Sequence, residues 1–138
     1  MTVVIIILVV IVIVFFSSTT KYQSRKEDLE SKITLIERKM KATPQFNAIH
    51  FYNLGVSWQE RFAFEKALGF YHKSHDLLMS NNNQIGSSDK LTLLNRLEAN
   101  MEFCKGKGDR TDSSTYFAYS DRFAAARSVG IFKPELYN

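Results

Sequence analysis

From Met1 to Thr20 the chain carries no charged side chain, and every residue from Val3 to Phe16 is apolar. A helix that crosses a bilayer needs about 20 residues, each adding about 1.5 Å. The run from Val3 to Phe16 alone is short. Met1 and Thr2 on one side and Ser17 to Thr20 on the other bring the uncharged stretch to that length. Hydroxyl side chains bond back to helix carbonyls and so tolerate the membrane edge. A cleaved secretory leader would have a basic start and a small-residue cleavage site. Here no Lys or Arg precedes the run, and the first Ala is Ala42. A buried strand, suggested by the many Val and Ile residues, would be overlong and apolar on both faces. The expected element is a retained, single-pass membrane helix over residues 1–20. Lys21, Arg25 and Lys26 come directly after it. Basic flanks stay on the side of synthesis, which places the body in cytoplasm, plastid stroma or an equivalent compartment.

The lone cysteine, Cys104, rules out an intramolecular disulfide and suits a reducing compartment. The chain beyond the anchor is long enough for one small core with appendages. The net charge is +4, and residues 21–43 hold seven basic and four acidic side chains. Such a segment suits lipid headgroups. Nucleic-acid binding would need a basic stripe on a recognisable module, and none is present. Ser24 to Lys41 reads as a helical stalk, with Leu29, Ile33, Ile36 and Met40 on one face. Acidic residues come early and basic ones late, as the helix dipole favours. Thr43-Pro44 ends it, because a residue before proline avoids helical angles.

The most specific pattern lies between Ala48 and Met79. Phe51, Leu54, Gly55 and Trp58 are followed by Phe64, Ala67, Tyr71 and Ser74. This resembles a tetratricopeptide repeat, a pair of antiparallel helices. Small residues at Gly55 and Ala67 allow close approach, and Tyr71 fills the space between the helices. Ser74 stands where the family usually has Ala. Met79 replaces the family's terminal Pro, and the chain turns through Ser80 to Asn83. One repeat cannot bury its own faces, so neighbours are required. Ser87-Ser88-Asp89 offers capping side chains. Leu91, Leu94, Leu97 and Met101 continue as an apolar helix that stops at Gly106-Lys107-Gly108. Beyond it lies an aromatic tail: Tyr116, Phe117, Tyr119, Phe123, Phe132 and Tyr137. The tail has too few apolar residues for a private core and too many aromatics for a free linker. It reads as a segment that folds against its own domain or a partner.

The expected fold class is therefore all-α. The expected parts are an anchor (1–20), a basic stalk (21–43), a tetratricopeptide-like domain (44–108) and a partner-binding tail (109–138). No enzyme signature is present, and no catalytic residue, cofactor or metal is expected. His72 and His75 are one helical turn apart, but no further ligand stands at the right spacing. Gly106-Lys107-Gly108 lacks the strand and the Lys-Ser/Thr ending of a phosphate loop. Repeat hairpins bind through the concave face of their first helices. Here that face carries Ile49, Tyr52, Asn53 and Val56. With Phe117, Tyr119, Phe123 and Phe132 of the tail they are the expected partner-binding residues. Tyr52 is the leading contact, with packing against the stalk as its alternative.

The layout of short span, basic stalk and aromatic-Leu-Gly repeat is similar to small membrane-anchored tetratricopeptide proteins of cyanobacteria and algal plastids. These assist photosystem I assembly. Leu35 to Met40 and Phe51 to Gly55 resemble their stalk-to-repeat junction. The resemblance implies a thylakoid membrane, a body facing stroma or cytoplasm, and photosystem I core subunits as partners. This chain has one clear repeat where the family normally has more, which leaves room for a stably bound subunit. Two other layouts share the anchor and single repeat. One is the mitochondrial outer-membrane presequence receptor, whose acidic surroundings contrast with this basic chain. The other is a structural accessory subunit of a respiratory or photosynthetic supercomplex.

Overall fold

A computed structural model describes residues 1–80, 84–109 and 128–138, except for the side chains of 18–22 and 25. The described residues are helical throughout, apart from one isolated bridge between Ala63 and Asp109 and the short connecting segments. The chain is all-α.

Helix α1 runs unbroken over Thr2–Ala42, 41 residues, about 60 Å at 1.5 Å per residue. The change of composition at Lys21 is therefore not a break in the backbone. No Gly or Pro lies between Thr2 and Ala42, so nothing interrupts the hydrogen-bond ladder. Among the described residues no helix is long and apolar enough to cross a membrane. The fully described apolar stretch of α1 stops at Ser17, short of the roughly 20 residues a span needs. Val3 to Phe16 are all at least 50% exposed. The helix ends at Thr43, whose backbone N–H and hydroxyl both donate to the Lys39 carbonyl at 2.8 Å. Pro44 then starts a single 3₁₀ turn, Pro44–Phe46.

Helices α2 (Asn47–Glu60) and α3 (Phe64–Met79) form the expected hairpin. Phe62 at the turn adopts φ 65, a left-handed value that costs a non-glycine residue about 1–2 kcal/mol. It is 7% exposed in the core, and that burial holds it. Gly55 faces Tyr71 so closely that any Cβ would overlap the tyrosine ring. Tyr71 is fully buried and its hydroxyl donates to Gln59 Oε1 at 2.6 Å. Ala67 has no exposed surface. Ser74 is buried at the seam with its hydroxyl donating to the Ala48 carbonyl at 2.6 Å.

The stalk half of α1 lies against the outer side of this hairpin. Ile33 and Ile36 pack with Leu54, flanked by Met40, Phe51, Trp58 and Phe70. Arg61 reaches back to Glu30 at 3.1 Å. Helix α4 (Ser87–Cys104) covers the other side of α3. Two details differ from the pattern expected of the sequence. Gly86 occupies the cap position without a side-chain bond, so Ser87, Ser88 and Asp89 lie inside the first turn. The buried face is Leu93, Leu97, Asn100 and Cys104, while Leu91 is 63% exposed. Of the expected face, Leu97 is buried, Leu94 and Met101 pack against the core in part, and only Leu91 lies outside it, so the helix is turned toward Leu93 and Asn100. A polar residue, Asn100, takes a core position because Tyr52 and the Val129 backbone are hydrogen-bond partners there.

Candidate functional site

Ile49, Tyr52, Asn53 and Val56 follow helical spacing along α2, and the hairpin turns all four to its inner side. They do come together, but they are not open. Each is at most 2% exposed. The covering element is the chain's own end: residues 128–138 return across α2 and α4 and close over the groove.

The grip is mainly on backbone. The Asn53 amide makes a two-point pairing with Phe132. The Phe132 N–H donates to Oδ1 at 2.8 Å, and Nδ2 donates to the Phe132 carbonyl at 2.9 Å. Asn100 Oδ1 accepts from the Val129 N–H at 3.0 Å. The Tyr52 hydroxyl donates to the Gly130 carbonyl at 2.8 Å and accepts from Asn100 Nδ2 at 3.2 Å. Arg96 donates to the Ile131 carbonyl at 3.3 Å and holds its guanidinium 5.2 Å above the Phe132 ring, a favourable cation–π geometry. Gly130 sits at φ 85, where a side chain would be strained. Phe132 is the segment's one buried apolar side chain, 6% exposed. Lys133 closes the far edge with an ion pair to Asp89 at 2.6 Å.

A second anchor comes one turn later. The Tyr137 hydroxyl lies 2.8 Å from both His50 Nδ1 and Asn53 Nδ2. His50 Nε2 lies 2.9 Å from Thr43 Oγ1. The Thr43 proton is already committed to the Lys39 carbonyl, so Nε2 must carry the hydrogen and donate. Nδ1 then accepts from the Tyr137 hydroxyl, which in turn accepts from Asn53. This chain of donors and acceptors uses neutral His50. Burial lowers its pKa from the ordinary 6.5, and the Lys39 charge acts in the same direction. Burial also pushes the Tyr52 and Tyr137 hydroxyls up to about 12, which keeps both protonated and able to donate. The Cys104 thiol is pushed to about 12 by the same cause. It is a fully buried core side chain.

His50 gives the fold a pH dependence. Because its folded pKa is depressed, its stabilising contribution is fully present above about 6.5, the unfolded value, and is lost as pH falls below it through the folded pKa. Full-length protein in detergent micelles is therefore expected to melt at a lower temperature at pH 5.5 than at pH 7.5. A His50→Gln variant should show a smaller drop. Equal drops in the two proteins would refute this role for His50.

Tyr52 does not pack on the stalk. It lies beside Tyr71, with ring centroids 5.8 Å apart, and under the returning segment. Phe132 belongs to the same groove. Phe117, Tyr119 and Phe123 lie outside the described residues. Where the tail is described, it docks on its own domain. His50, Arg96, Asn100 and Tyr137 join the groove without a sequence pattern that marks them as groove residues. The available signal is Asn100, a polar residue within an apolar helical pattern. His72 and His75 line a separate groove of about 500 Å³ between α3 and α4, facing Glu98 and Glu102 across Leu68, Leu94 and Met101. Among the described residues no group of three or more ligating side chains could hold a metal ion. No family model, curated protein or solved structure matches the chain, so a functional reading stands on the geometry of the Asn53 groove.

Proposed function

We propose that this chain is a non-enzymatic, membrane-anchored interaction module whose helical hairpin holds extended polypeptide segments. The observation that carries the reading is the Asn53 amide pairing with both backbone groups of Phe132. A side-chain amide that takes an N–H and a C=O of one residue acts as a strand edge would, giving affinity through main chain. Residues 1–20 insert as the anchor, with Ser17 to Thr20 completing the span. The support is the uncharged sequence together with Val3 to Phe16 exposed on all sides of α1. Such a helix is at home in hydrocarbon rather than water. The basic flank from Lys21 onward sets the body on the positive side.

The partner proposed for the body is photosystem I in a thylakoid membrane. The support is the likeness of the stalk-to-repeat junction to the plastid and cyanobacterial assembly proteins. Two experiments bear on these statements. Alkaline carbonate should leave the protein in the membrane pellet, and protease added on the body's side should digest all but the first helix. Release by carbonate would refute the anchor. Affinity-tagged protein should co-purify with chlorophyll-containing complexes, and a pigment-free eluate would refute the photosystem assignment while leaving the module reading intact.

A further inference from the structure

We propose that residues 128–138 are a built-in competing ligand of the hairpin groove, displaced by an extended segment of a partner protein carrying an aliphatic–aromatic–basic triplet. This rests on the reading of the groove as a peptide site. Apart from the Tyr137 hydroxyl on His50 and Asn53 and the Ser128 hydroxyl on Glu60, the hydrogen bonds that hold the segment go to the N–H groups of Val129 and Phe132 and to the carbonyls of Gly130, Ile131 and Phe132. Every residue type offers those carbonyls, and every one but proline offers the N–H, so the grip transfers to another chain. Side-chain selectivity comes from the seat of the Phe132 ring beneath Arg96, from Asp89, which takes a basic residue, and from His50 and Asn53, which hold the Tyr137 hydroxyl. Ile131, Phe132 and Lys133 define the triplet.

Two features favour exchange over a permanent seal. Lys133 is held at φ 50, a left-handed value disfavoured for a side chain other than glycine. The segment also buries only one apolar side chain fully, Phe132, while Ile131, Leu136 and Tyr137 pack against the core in part. An open groove is disfavoured, because it trades the bonds of Tyr52, Asn53 and Asn100 to the segment for bonds to water and uncovers the apolar surface under Phe132. The segment therefore leaves when another chain takes over its bonds. Release would free residues 128–138 for a contact of their own, coupling occupancy of the groove to exposure of the tail.

The test uses full-length protein in detergent micelles and a fluorescent peptide with the sequence of Ser128 to Asn138, read by anisotropy. Two variants loosen the resident segment: Phe132→Ala, which empties the aromatic slot, and Lys133→Glu, which sets a carboxylate against Asp89 at a half-exposed edge and spares the core. Apparent affinity scales with the open fraction, so either variant should bind the peptide about tenfold or more tightly than wild type. Adding Asn53→Ala to the variant should abolish the gain. Equal affinity for wild type and a folded Lys133→Glu variant would overturn the competition and leave the peptide site standing. No binding to any folded variant would overturn both. If wild type forms dimers that Phe132→Ala dissolves, the displacing chain is a second copy and the proposal fails.

Discussion

Replacing Asn53 by alanine is expected to detach the C-terminal segment and lower stability by about 2–4 kcal/mol, since each buried polar group left unpaired costs about 1–3 kcal/mol. The affected groups are the Phe132 N–H and carbonyl, and the Tyr137 hydroxyl also loses a donor. The direct measurement is chymotryptic cleavage after Phe132, because a docked segment shields that bond. Cleavage should be faster by one to two orders of magnitude in Asn53→Ala, on the order of the equilibrium shift that 2 kcal/mol brings. Asn53→Asp should fare no better. It keeps an acceptor for the Phe132 N–H but sets a carboxylate against the Phe132 carbonyl. Unchanged cleavage in both variants would mean that Phe132 is held by its ring alone.

The second large effect is expected at the hairpin seam. Ala67 has no exposed surface and lies in α3 where that helix meets α2, in one cluster with Tyr52, Val56 and Tyr71. Ala67→Trp forces an indole into a filled space and should cost on the order of 3 kcal/mol. For a domain of this size that is a fall in melting temperature of roughly 10–20 °C. The melt should be followed by near-ultraviolet circular dichroism of Trp58 and the tyrosines in full-length protein. Helical signal from the apolar half of α1 in detergent would mask the loss in the far ultraviolet. Ala67→Ser, nearly isosteric, is the control. A Trp variant that melts with the control would show that the two helices do not close on this position.

Helical spacing made much of the fold legible. Phe51, Leu54 and Trp58 recur so as to share one face, and Ile33 and Ile36 recur so as to meet it. Gly55 and Ala67 are small where Tyr71 is large. Each is a local pattern with a packing consequence, and the hairpin and stalk arise from it. The uncharged start likewise marks a change of composition at Lys21 that needs no tertiary information. It does not mark a break in the helix, because nothing between Thr2 and Ala42 disrupts the backbone.

The groove's occupant has another origin. Asn53 and Phe132 are 79 residues apart, and their bonds run from a side chain to main-chain atoms that every residue possesses. Such contacts leave no periodicity and no motif. The turn of α4 has the same origin: an apolar count favours Leu91 toward the core, and it lies outside. Asn100 turns inward instead, because Val129 and Tyr52 satisfy its amide there. His50 is equally silent in the sequence. Its tautomer is dictated by Thr43 on one side and Tyr137 on the other, which only the folded chain brings together. Local order along the chain was enough to set the helices, the apolar start and the face on which a segment lies. That the segment is the chain's own was settled by folding, because only folding brings a distant backbone within reach of those side-chain amides.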